Sequence, residues 1–110
     1  MICWDRVNEL REEVGQEDFN EVLEIFFEEV EEVIEKLRNT PDPQSYEADF
    51  HFLKGSALNL GFERFAHLCS ASEIAARNQQ DAKVNLADVL NSYELSKQEF
   101  NLASNAPTTL

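Results

Sequence analysis

Apolar residues recur at intervals of three and four along nearly the whole chain, while Gly15, the Pro-Asp-Pro run at 41–43, Gly61 and Pro107 punctuate that rhythm. This period belongs to one face of an α-helix, and no stretch sustains the period-two alternation of a strand. Trp4, Val7, Leu10 and Val14 predict a short first helix ending near Gly15. Phe19, Val22, Phe26, Val30, Val33 and Leu37 predict a long second helix that stops before Pro41 and carries an almost wholly acidic opposite face. Tyr46, Phe50, Leu53, Ala57 and Leu60 mark a third helix, which Gly61 is placed to stop. Phe62, Phe65, Cys69, Ser72 and Ala76 mark a fourth; Ala82, Leu86, Val89, Tyr93 and Phe100 mark a fifth, with Asp81 as its N-cap. Four long helices with narrow apolar stripes and short connections predict an all-α fold, an antiparallel four-helix bundle with a short additional N-terminal helix packed across it.

At 110 residues and 43% hydrophobic content there is room for one compact domain, expected over 1–104, with 105–110 as a frayed tail. The formal net charge of -13 sets up a field that repels phosphate backbones and anionic headgroups, so neither nucleic acid nor a membrane surface is an expected partner. Cys3 and Cys69 belong to no CxxC or Cys/His spacing and read as reduced thiols, with Cys69 buried and no metal site. The acidic run EVLEIFFEEVEEVIE lacks the glycine turn and ligand spacing of a calcium loop and reads as a solvated face with an apolar seam. With no basic, apolar leader at the N-terminus and no run of about 18 apolar residues, the expected compartment is the cytoplasm.

One short stretch, HFLKGSALNLG at 51–61, departs from pure packing logic. At about 100° per residue, measured from the mean direction of the third helix's stripe, His51 falls at roughly 140°, Leu58 at roughly 120°, Gly55 at roughly 180° and Lys54 at roughly 80°. His51, Lys54 and Gly55 are therefore neighbours on an outward face. A glycine within a helix costs about 1 kcal/mol relative to alanine, which suggests that something must come close there. An exposed imidazole is mostly uncharged at neutral pH and offers a lone pair suited to attack phosphorus, and a lysine one turn away can balance charge on phosphoryl oxygens. An exposed histidine with a lysine three residues on is also a common surface pattern, so the spacing alone leaves a plain solvated face open.

The same stretch resembles the signature of the histidine-containing phosphotransfer (HPt) domain family through His51, Leu53, Lys54, Gly55, Ser56, Leu60 and Gly61, in that order and spacing. The resemblance implies that His51 is phosphorylated on Nε2, that Lys54 assists, that Gly55 admits the partner and that Ser56 supports the site. Ala57 departs from the second serine of many members, but it fits the apolar stripe. Glu73 stands where some relatives carry a glutamate that hydrogen-bonds the histidine Nδ1; read from its own helix alone, it is a carboxylate flanking the core. His67 also points away from its stripe but has Ser70 and Ala71 where a lysine and a glycine would stand, and reads as a surface residue.

The implied function is that of a monomeric phosphorelay intermediate. It would carry a phosphoryl group on His51 between a histidine kinase, or the aspartate of a receiver domain, and a response-regulator receiver domain. No GxxxxGK[ST] or Gly-rich loop supplies an ATP site, so no enzyme with its own nucleotide chemistry is expected. No cofactor is expected on this chain, with Mg²⁺ supplied by the receiver. Gly55, Ser56 and Leu58 are the expected partner-binding residues around His51. The rival is an adaptor that binds a partner through the same patch without accepting phosphate.

Overall fold

The computed structural model of the chain describes residues 2–105, with side chains through 103. Five α-helices occupy this span: α1 (Trp4–Val14), α2 (Phe19–Asn39), α3 (Tyr46–Leu60), α4 (Glu63–Arg77) and α5 (Leu86–Asn105). Single 3₁₀ turns, Pro43–Ser45 and Asp81–Lys83, lie in the α2–α3 and α4–α5 connections. Helices α2 to α5 form the antiparallel four-helix bundle, and α1 lies across it. Of the expected tail, 105–110, Asn105 instead closes α5, and 106–110 fall outside the described residues.

Local chemistry sets the ends that matter for the site. The Asp42 side chain accepts from the Gln44 backbone N–H at 3.0 Å, with Pro43 opening the 3₁₀ turn that leads into α3. At the other end Gly61 takes the left-handed conformation (φ 78), so that its own N–H bonds Leu58 and the N–H of Phe62 bonds Ala57 at 2.9 Å. A Cβ at Gly61 would also meet the Cys3 carbonyl oxygen at 2.6 Å. That close approach lets the Cys3 N–H bond the Gly61 carbonyl at 2.7 Å and Ile2 bridge to Phe62, tying the start of α1 across the α3–α4 turn.

Helices α3 and α4 pack most intimately, and small buried side chains make this possible: Ser56 and Ala57 on one side, Ala66, Cys69 and Ser72 on the other. Burial pushes the Cys69 thiol well above its usual range, so it stays protonated. An aromatic cluster then joins α4 to α5, with Phe65 and Phe62 at 5.3 and 6.5 Å from the Tyr93 ring and Phe62 at 6.0 Å from Phe100. Phe62 is wholly buried, and truncating it to alanine costs about 3–5 kcal/mol.

Four expectations about the helices need correction. The core face of α2 is Phe19, Leu23, Val30, Ile34 and Leu37, so Val22, Phe26 and Val33 flank the core instead of leading into it. Trp4 is 38% exposed and stacks on Phe100 at 5.8 Å from outside the core. Helix α5 starts at Leu86 and not near Ala82; Asn85 caps it, its side chain accepting from the Asp88 N–H at 3.1 Å, while Asp81 opens the preceding 3₁₀ turn. Ser56, expected on the partner surface, is 7% exposed and belongs to the buried face of α3.

Candidate functional site

His51, Lys54 and Gly55 share the face of α3 that the core does not use, and α4 runs beside that face with Glu73 turned toward it. The His51 side chain is 71% exposed, whereas that of Glu73 is 4% exposed. Between them His51 Nδ1 and Glu73 Oε2 stand 2.9 Å apart. Lys54 Nζ lies 2.9 Å from Oε1, an ion pair with the other oxygen of the same carboxylate. The Glu73 carboxyl is held below the usual carboxylate range by the Lys54 ammonium first and by His51 as well, which together outweigh the opposing effect of burial.

That ionisation assigns the proton on the ring. An ionised carboxylate only accepts, so His51 Nδ1 carries the hydrogen and donates it to Glu73 Oε2. In the neutral ring Nε2 then holds the lone pair, on the far side of an exposed imidazole. The arrangement therefore orients a nucleophilic nitrogen toward solvent, with a cation one turn away.

Gly55 sits in open space: a Cβ built there meets nothing within 4 Å. Its contrast with Gly61 is direct, since among the described residues neither the backbone nor any neighbour requires a glycine at 55. Beyond it Leu58 is 57% exposed, an apolar side chain on the same face. His67 is exposed on α4 and takes no part in the His51–Glu73–Lys54 network.

Two site residues are not singled out by the sequence reading. The Arg77 guanidinium donates to Glu73 Oε2 at 2.8 Å, and its Nε donates to Glu47 Oε2 at 3.1 Å. The signal available was one of spacing: Arg77 follows Glu73 by four residues and Glu47 precedes His51 by four, each a one-turn relation. What spacing cannot give is the register of α4 against α3, which brings the two pairs together. A shallow depression results, lined by Gln44, Glu47, Ala48, His51, Glu73 and Arg77.

Among the described residues no cluster of three or more His, Cys, Asp or Glu side chains is arranged to hold a metal ion, and no helix is long and apolar enough to cross a membrane. No curated protein and no solved structure matches the chain. A family model does: that of the Hpt domain, over residues 21–99.

Proposed function

Since the chain belongs to the Hpt domain family, whose members carry phosphoryl groups in two-component signalling, we propose that His51 is its phosphoacceptor, loaded on Nε2. The observation that carries this reading is the hydrogen bond from Nδ1 of an exposed imidazole to a buried, ionised carboxylate, which leaves Nε2 as the free nitrogen.

The step follows from that geometry. The Nε2 lone pair attacks the phosphorus of an aspartyl phosphate on a receiver domain; the Nε2–P bond forms as the P–O bond to the aspartate breaks, and the aspartate leaves as a carboxylate. The Nδ1 proton stays on the ring, where Glu73 balances the positive charge that phosphorylation creates. Lys54, pinned by Glu73 but still 30% exposed, offsets charge on the transferred oxygens. In the reverse direction the same groups deliver the phosphoryl to the aspartate of a second receiver. The chain thus acts as a carrier without nucleotide chemistry of its own, and the Mg²⁺ of the transfer belongs to the receiver.

Docking centres on Gly55 and Leu58. The open space at Gly55 supports close approach of a receiver to the ring, and exposed Leu58 supplies apolar contact at the edge. Partners are receiver domains and a histidine or hybrid kinase, met by a monomer in the cytoplasm.

The test is incubation with a phosphorylated receiver domain, scored by acid-labile, base-stable label on wild type and on His51→Gln. Label on wild type and none on a folded His51→Gln is the expected result. Binding of the receiver without label would turn the reading to the adaptor, and label persisting in the variant would move the acceptor to His67.

A further inference from the structure

Arg77 divides its guanidinium between two carboxylates of very different burial. Its NH2 group meets Glu73, whose side chain is 4% exposed, while its Nε meets Glu47, and that second pair is 55% and 52% exposed. An ion pair open to water on both sides is weakly held and exchanges readily. Glu73 Oε2 accepts from Arg77 and from His51 Nδ1 together, so the guanidinium stands within two hydrogen-bond lengths of the ring. Both charged pairs border the same depression as His51.

A charge count shows what loading would do. With the imidazole neutral, Glu47 and Glu73 are balanced by Lys54 and Arg77. A phosphoryl group on Nε2 adds roughly two negative charges and three acceptor oxygens across the ring from Glu73, on a histidine that borders the same depression as Arg77. Among the described residues Lys54 has one carboxylate partner, on a buried residue, whereas Arg77 has a second, weak partner from which it can be drawn. Its planar fork also suits phosphoryl oxygens better than an ammonium does.

We propose that Glu47 is a positioning residue for phosphoryl transfer, holding the Arg77 guanidinium in reserve beside Glu73 while His51 is free and yielding it to the phosphoryl oxygens once Nε2 is loaded. The inference rests on the phosphoacceptor reading of His51 and adds to it a control element on the turn of α3 before the histidine. Glu47 acts only through Arg77, by setting how much of the guanidinium's attraction the phosphoryl group receives.

The experiment is to load the protein with phosphoramidate and follow the ³¹P NMR shift of phospho-His51 against pH, with His51→Gln identifying the signal and a thermal melt on each variant. A cation at the phosphoryl group favours its dianion and lowers the titration midpoint. Arg77→Gln should raise the midpoint by about half a unit, the scale of one charge at a solvated site. Glu47→Gln should lower it by a similar amount when Arg77 is present and move it little in the Arg77→Gln background. Unchanged melting should accompany the Glu47→Gln shift, because the Glu47–Arg77 pair is exposed, whereas Arg77→Gln also removes a bond to the buried Glu73 and lowers the melting temperature. A midpoint indifferent to Arg77→Gln would overturn the proposal, as would a Glu47→Gln shift of equal size in both backgrounds, which would make Glu47 a direct charge and not a holder of Arg77. If wild type takes no label at His51, the phosphoacceptor reading itself fails and takes this inference with it, so the two failures are distinct.

Discussion

Glu31 on α2 and Glu73 on α4 each accept, on one oxygen, a hydrogen bond from an aromatic side chain and a contact from a cation. Around Glu31 the ring is the phenol of Tyr93, at 2.8 Å, and the cation is Lys97. Around Glu73 the ring is the imidazole of His51 and the cation Arg77, with Lys54 on the second oxygen. Both carboxyls titrate below their usual range; at Glu31 burial opposes this and is outweighed by the bonds from Lys97 and Tyr93. What differs is which partner is buried. Tyr93 is 1% exposed, and burial pushes its phenol well above the usual range, so the Glu31 cluster braces α2 against α5. In the Glu73 cluster the carboxylate is buried and the ring is not, and that inversion leaves a ring nitrogen facing solvent.

The largest effect should come from removing each carboxylate in turn. Glu73→Ala frees the ring to rotate and to change tautomer, and transfer from a phosphorylated receiver should slow by roughly 10–100-fold, the usual loss when an orienting partner is removed. Glu31→Ala should lower the melting temperature and leave transfer untouched. Equal losses of transfer rate in the two variants would erase the distinction drawn between the clusters.

The cations sharpen the same contrast with a smaller expected change. Lys54→Ala should slow transfer about tenfold or somewhat more with receiver binding nearly preserved, whereas Lys97→Ala should alter stability alone. Parallel losses of binding and rate at Lys54 would make it a docking residue.

Much of this was legible in the chain because its signals are local. Gly15 and Gly61 end their helices where the apolar rhythm breaks, and His51, Lys54 and Gly55 fall on one face by spacing alone. The α2 stripe was misread because Val22-Leu23, Phe26-Phe27 and Val33-Ile34 are doubled apolar positions, and periodicity cannot choose between neighbours. Packing chooses: Phe27 meets Phe62 and Phe100 in the aromatic cluster, which turns Leu23 and Ile34 inward. Ser56 was misplaced for a related reason, since the closeness of α4 depends on small residues in both helices. Arg77 and Glu47 needed the register between α3 and α4, which no single helix encodes.

Gly55 is a milder probe of the proposed docking face. Gly55→Gln should raise helix stability by a few tenths of a kcal/mol or slightly more, since none of the described residues obstructs a side chain there, and should slow receiver transfer several-fold while sparing phosphoramidate labelling. Loss of both reactions would mean that residue 55 shapes the ring's surroundings and not its access.

The smallest effect is on acid stability. Each carboxyl has a lower pKa folded than its ordinary value of 4.5, so its contribution is fully present above that value and is lost as pH falls through the folded value. Urea melts between about pH 5 and 3 should show a shallower acid loss for Glu73→Gln and Glu31→Gln than for wild type. An unchanged slope in Glu73→Gln would mean that its bonds to Lys54 and His51 add nothing to folding.

On the proposed mechanism Glu73 fixes the proton on His51 Nδ1 and so makes Nε2 the acceptor. Long-range ¹H–¹⁵N correlation of the imidazoles at neutral pH, repeated after phosphoramidate treatment, reads both properties on one sample. The expected result is the Nδ1–H tautomer for His51 in the free protein and ³¹P coupling to Nε2 after loading, with the tautomer preference lost in Glu73→Ala. An Nε2–H tautomer, or phosphorus attached to Nδ1, would contradict it.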